Sequence, residues 1–150
     1  MSVPAWRRDT HENGKKKGWL DVIIASEKLL KHTMQKVNGA KGRAYFSKSE
    51  TFTKRIPLLK AAEKAYHDLR KANLVYANTQ ADFDKRHDLQ VEALLAVEDL
   101  YAYLTIFNEE KRIEHLEYWV GLAYNTETLI KAWIKSDIER WEKLKSAAGQ

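Results

Sequence analysis

Apolar side chains recur at three- and four-residue intervals over four long stretches of the chain, and nowhere alternate for the length of a strand. The first stretch covers 19–37, where Trp19, Val22, Ile23, Leu30, Met34 and Val37 share one helical face. Asn38-Gly39 stops it, because both residues tolerate the left-handed conformation that caps a helix. "GAKGRAYF" follows as a loop. A second helix starts at Ser47-Lys48-Ser49-Glu50, a serine followed three residues later by glutamate in the manner of a capping box, and runs to about Tyr76. Phe52, Ile56, Leu59, Tyr66 and Leu69 mark its apolar side, and Ala61, Ala62, Ala65 and Ala72 would let another backbone come close. Pro57 removes a hydrogen bond and clashes with the previous turn, so the helix bends there or restarts near Ile56. A third helix runs from about Asp82 to Phe107, with Phe83, Val91, Leu94, Val97, Leu100, Tyr101, Leu104 and Phe107 inward, and Asn108 ends it. A fourth runs from about Glu110 to Lys145.

Four helices with short connections predict an all-α fold, an antiparallel up-down four-helix bundle over 19–146. The 150 residues suit one domain. Residues 1–18 have no period and hold a proline, two glycines, Arg7-Arg8 and Lys15-Lys16-Lys17, which reads as a flexible basic N-terminal arm.

The fourth helix is unusual. With about 100° per residue, Trp119, Trp133, Trp141, Ile130, Ile134, Ile138, Leu122 and Leu129 spread over an arc of roughly 200°, where one core needs little more than about 100°. The excess predicts a second surface, most simply another copy of the chain, with Trp119, Leu122, Leu129, Trp133 and Trp141 building the contact. The competing reading is that the arm or the N-terminal loop covers the tryptophans. Glu127 and Asp137 fall inside the arc and need a cationic or helix-terminal partner if buried.

The net charge of +5 is unevenly laid out. Residues 28–60 hold nine basic groups against Glu50 alone, while 91–150 hold eleven acidic and seven basic. That polarity predicts a basic and an acidic face, and a basic face attracts nucleic acid first, anionic lipid or an acidic protein second. The candidate phosphate contacts are Arg7, Arg8, Lys15, Lys16, Lys17, Lys41, Arg43, Lys48, Lys54, Arg55 and Lys60. Tyr45 and Phe46 lie among them and could stack on bases, or staple the start of the second helix. No zinc-finger, RNA-recognition or helix-turn-helix pattern is present, so such binding would be charge-driven and steeply salt-dependent.

Enzyme chemistry finds little footing. With no cysteine there is no disulfide framework, thiolate ligand or thiol nucleophile. There is no GxGxxG, no phosphate loop and no Glu-x-x-His of the kind di-iron bundles use. Asp84-x-x-His87 is the nearest approach to a metal motif and sits at a helix start where aspartate is common; His32, His67 and His115 stand on separate elements. No catalytic residue, metal or cofactor is assigned. The absence of an apolar run of about 18 residues, or of a shorter one in 1–18, leads to the expectation of a soluble, cytoplasmic protein without a membrane partner.

"KRIEHLEYWVGLAYNTETLIKAWIKSD" carries an aromatic pair followed by Leu129, Ile130, Trp133 and Lys135. With "MSVP" at the start, Tyr45-Phe46 before the second helix and "KANLVY" at 71–76, it resembles the accessory variability determinant proteins, four-helix bundles encoded beside the reverse transcriptases of diversity-generating retroelements. The same superfamily includes bundles encoded within ribosomal-RNA intervening sequences. The resemblance covers roughly 19–141. It implies a non-enzymatic homo-oligomer, pentameric in the known type, whose positive surface binds the reverse transcriptase and template RNA or an RNA/DNA hybrid during mutagenic retrohoming. An intervening-sequence type of interaction or scaffold bundle without a nucleic-acid role is the alternative.

Overall fold

A computed structural model describes residues 18–39 and 46–149; of residues 18–20 it describes the helical backbone alone. The regular structure among the described residues is all helical, with no strand. Four long helices follow one another: α1 (Gly18–Asn38), α2 (Ile56–Leu74), α3 (Gln80–Glu110) and α4 (Leu116–Ala148). α1 packs on α2 and α4, and α3 packs on α2 and α4, so α1 and α3 stand across the core from each other.

The ends of α1 and α3 follow local chemistry. α1 closes where the Gly39 N–H reaches the Gln35 carbonyl at 2.8 Å with Gly39 at φ 87°, a conformation that costs glycine nothing. Thr79 caps α3 by accepting from the Asp82 N–H at 3.1 Å. Asn108 does not end α3. The helix continues to Glu110, and the Asn108 Oδ1 accepts the Ile113 N–H at 2.9 Å, securing the connection that follows. That connection displaces the start of α4 from the expected Glu110 to Leu116: Ile113 is buried in it and His115 turns the chain at φ 55°.

Around Pro57 the restart occurs. A 3₁₀ turn (Lys48–Glu50) runs into one π turn (Thr51–Arg55), in which the Ile56 N–H bonds five residues back to Thr51. α2 then begins with Pro57 in its first turn, where the missing N–H is no loss. The additional residue in the π turn shifts the phase of what precedes it by about 100°. Phe52 is thereby thrown off the apolar stripe and is 83 % exposed. The Glu50 arm of the capping box forms, with the Ser47 N–H and Oγ both at 3.0 Å from Oε1.

Alanines line the core between α2 and α3. Ala61, Ala62, Ala65 and Ala72 on one helix, and Ala93 and Ala96 on the other, are buried beside Leu58, Leu69, Val97, Leu100 and Leu104. Met34 on α1 and Tyr101 on α3, expected inward, are exposed, and Leu29 takes a core position of α1.

Candidate nucleic-acid interface

Arg7, Arg8, Lys15, Lys16, Lys17, Lys41, Arg43 and Tyr45 lie outside the described residues. The remaining members of the basic block separate into two groups. Lys48 and Lys60 are exposed and form no ion pair among the described residues, and Lys28 on α1 behaves likewise. Lys54 and Arg55 are turned inward, which corrects their assignment as phosphate contacts. Lys54 Nζ lies 2.9 Å from Glu50 and 2.8 Å from Glu110, 5.7 Å from the centre of the Phe107 ring. Hydrogen bonds to Glu110 first and Glu50 second hold the Lys54 ammonium above its ordinary pKa. Lys54 and the Ser47 N–H in turn push the Glu50 carboxyl down to about 2. Arg55 donates to the Phe46 carbonyl, fixing the buried Phe46 edge-on against Phe107 at 6.3 Å. Phe46 is thus a core residue and not a stacking platform for bases. Elsewhere in the block, Lys31 pairs with Glu27 at 3.0 Å, and Lys36 reaches toward the Glu114 carbonyl at 3.5 Å.

The acidic side is clearer. α3 carries eight acidic residues against Lys85 and Arg86, and most of the acids are exposed. Since α1 stands across the core from α3, the basic residues of α1 are separated from the main acidic surface, whereas the lead into α2 meets it through Lys54 and Glu110.

The tryptophans of α4 are used differently from the expectation. Trp119 is fully buried and its Nε1–H donates to Thr33 Oγ1 at 3.0 Å; Thr33 donates onward to the Leu29 carbonyl at 2.8 Å. Trp133 is 4 % exposed, with the Arg86 guanidinium 5.0 Å above its ring. Trp141 is partly exposed, stacked on Phe83 at 5.2 Å and bonded to Gln80 at 3.2 Å. Trp119 and Trp133 are therefore core residues of their own chain and offer no surface to a copy. The arc is broad because α4 serves two neighbours, α1 and α3. Leu122 and Leu129 pack beside the core and keep partial exposure.

The acids inside the arc also find partners in the same chain. Asp137 is buried and accepts from Arg86 at 2.5 and 3.1 Å and from Gln90 at 2.8 Å, while Arg86 also donates to the Val75 carbonyl at 3.1 Å. Glu127 pairs with Lys131 at 2.8 Å. Arg86 and Gln90 escaped the sequence reading because they sit on α3 among polar residues, where a charge looks solvated. The need of Asp137 for a cation was the one signal available.

Asp84 accepts from the Gln80 side chain at 2.9 Å, and His87 stacks on Phe83 at 5.9 Å. No group of three or more potential metal ligands comes together among the described residues. No helix among them is long and apolar enough to cross a membrane. Searches against protein-family models, curated proteins and solved structures match nothing to this chain.

Proposed function

We propose that this chain is a non-enzymatic accessory subunit of a retroelement reverse transcriptase, an up-down antiparallel four-helix bundle. It associates with copies of itself, five by the resemblance, and offers a basic side to template RNA or an RNA/DNA hybrid. The up-down order is supported by pairs that join opposite ends of neighbouring helices: Thr33 with Trp119, Lys54 with Glu110, and Arg86 with Asp137. The observation that carries the functional reading is the partition of charge. Lys28 is exposed on the α4 side of α1, and Lys48 and Lys60 are exposed before and in the first turns of α2, none with an ion pair among the described residues, and the acids concentrate on α3. Phosphates approach these lysines more readily than the exposed acids.

Replacing Lys28, Lys48 and Lys60 together by alanine is expected to weaken RNA binding and lower its salt slope by about one for each phosphate no longer neutralised. Lys54→Ala is expected to act through the fold, lowering the melting temperature and leaving the salt slope alone. Unchanged affinity and slope in the triple variant would remove the charge-based reading. With Trp119 and Trp133 committed to the core, association between copies falls to the outer side of α4, where Tyr118 and Tyr124 are exposed and Leu122 and Leu129 partly so.

The inward turn of Lys54 and Arg55 favours a second reading, because it removes two cations from the surface. In that reading the bundle is an interaction or scaffold protein, and RNA does not compete with its protein partner.

A further inference from the structure

Where the α2–α3 connection meets the end of α4, Tyr76, Ala77, Phe83, Arg86, Asp137, Arg140, Trp141 and Leu144 enclose a cavity of about 170 Å³. Its floor is rigid. Asp137 is 6 % exposed and locked by Arg86 and Gln90, whose own side chain is fully buried. One wall is a continuous aromatic stack, His87 on Phe83 and Phe83 on Trp141, with the last two rings within 8° of parallel. Phe83 covers one side of Trp141, and the indole, which stays partly exposed, lines the cavity together with Phe83. Tyr76 and Leu144, also in the lining, are 77 % and 54 % exposed, large apolar groups with nothing among the described residues to cover them. Arg140 stands at the rim, 59 % exposed, 3.7 Å from Asp137 and 3.5 Å from Ser136, too loosely held to be spent.

We propose that this cavity takes one unpaired base of a single-stranded nucleic acid, an inference that rests on the nucleic-acid reading above. Size and chemistry decide the class. The volume falls below the roughly 300 to 1,000 Å³ of pockets that enclose a whole small molecule, and so suits a single planar ring carried by a longer chain. Aromatic faces stack any base, and a guanidinium at the mouth meets the phosphate attached to that same base. An aromatic residue of a protein would fill the ring position and bring no anion for Arg140. The base slides between Tyr76 and Trp141, its sugar-phosphate stays outside, and Arg140 exchanges its loose contacts for a phosphate oxygen. Asp137, already saturated by Arg86 and Gln90, does not repel it. The site lies apart from Lys48 and Lys60, so a strand reaching both runs along the bundle.

The test titrates the full chain, its tryptophans labelled with nitrogen-15, with a short single-stranded RNA of mixed sequence and with the same sequence as a duplex. Trp141→Phe, which keeps the stack on Phe83, assigns the indole N–H resonance of Trp141. The single strand is expected to shift that resonance and the duplex to leave it in place, because paired bases cannot enter. Tyr76→Ala and Arg140→Ala change exposed side chains and leave the fold intact; each is expected to weaken single-strand binding by about tenfold. Single-strand binding that is unaffected by both substitutions, with the Trp141 resonance unmoved, overturns the base site and spares the nucleic-acid reading. No single-strand binding by the unaltered chain overturns both. A Trp141 resonance that ignores RNA and moves only with a protein partner makes the cavity a protein contact and overturns the proposal.

Discussion

α4 is fastened in two unlike ways along its length. Its first half lies on α1 through Trp119, an indole with one hydrogen bond in otherwise apolar surroundings. Its second half is held to α3 by Arg86, Asp137 and Gln90, a buried charged network under the Trp133 ring. The first kind of contact gains from removing surface from water, since an aromatic side chain buries on the order of 150–250 Å². The second must recover the cost of stripping water from two charges, and comes out near balance against an apolar replacement. The first half is thus a source of stability, and the second fixes which helix faces which.

Single truncations do not separate the two halves, and paired ones do. Trp119→Ala is expected to cost about 3–5 kcal/mol through lost burial and the cavity it leaves. Arg86→Met is expected to cost about 3–5 kcal/mol for a different reason, since Asp137 stays buried with its main cation gone. A second change should rescue only the second site. Arg86→Met with Asp137→Leu is expected to recover most of the loss, short of the roughly 1–3 kcal/mol for leaving the buried Gln90 amide without its Asp137 partner, whereas Trp119→Ala with Thr33→Val is not. Urea unfolding of the four variants checks this. Equal rescue at both sites would erase the distinction.

Acid should also act more on the first half. His32 packs edge-on against Tyr118 at 4.9 Å and Trp119 at 5.6 Å, and burial, then Lys36, lowers its pKa below the ordinary value of 6.5. The folded state therefore favours the neutral ring. As pH falls below 6.5 the unfolded chain takes up the proton first, and stability is lost through the window down to the lowered folded value. Thermal melts between about pH 7.5 and about pH 5 should show the parent losing ground to His32→Gln. A constant gap between the two would place the ring in a solvated site.

The sequence made the helices legible because each repeats its apolar positions long enough to show a period, and Asn38-Gly39 and Pro57 carry their own backbone rules. It made the inward faces less legible. α2 and α3 bury alanines alongside their leucines, and the π turn removes Phe52 from the phase it would hold in an unbroken helix. The width of the α4 arc was real, but a wheel records how much surface is apolar and not how many helices share it. Charge misled in the same way. Lys54 and Arg55 count as cations in the sequence, and only their distances to Glu50, Glu110 and the Phe46 carbonyl show them spent. Arg86 could be inferred only through Asp137.

Gly121 offers the finest probe of the first half. It sits inside α4 on an exposed turn, and a Cβ added to it meets nothing within 4 Å. Glycine there costs the helix about 1 kcal/mol relative to alanine, and nothing in the packing of the described residues explains its presence. If the outer side of α4 faces only water, Gly121→Ala should stabilise the protein by about 0.5–1 kcal/mol at every concentration. If copies meet on this side, beside Leu122 and the exposed Tyr118, the same methyl should stabilise the dilute monomer and weaken association, because it stands where another backbone comes close. Melting temperature and light scattering, each measured across a concentration series, separate the two outcomes. A gain that persists unchanged from dilute to concentrated protein would take the outer side of α4 out of the oligomer and leave the indole-anchored half of the helix a purely internal fixture.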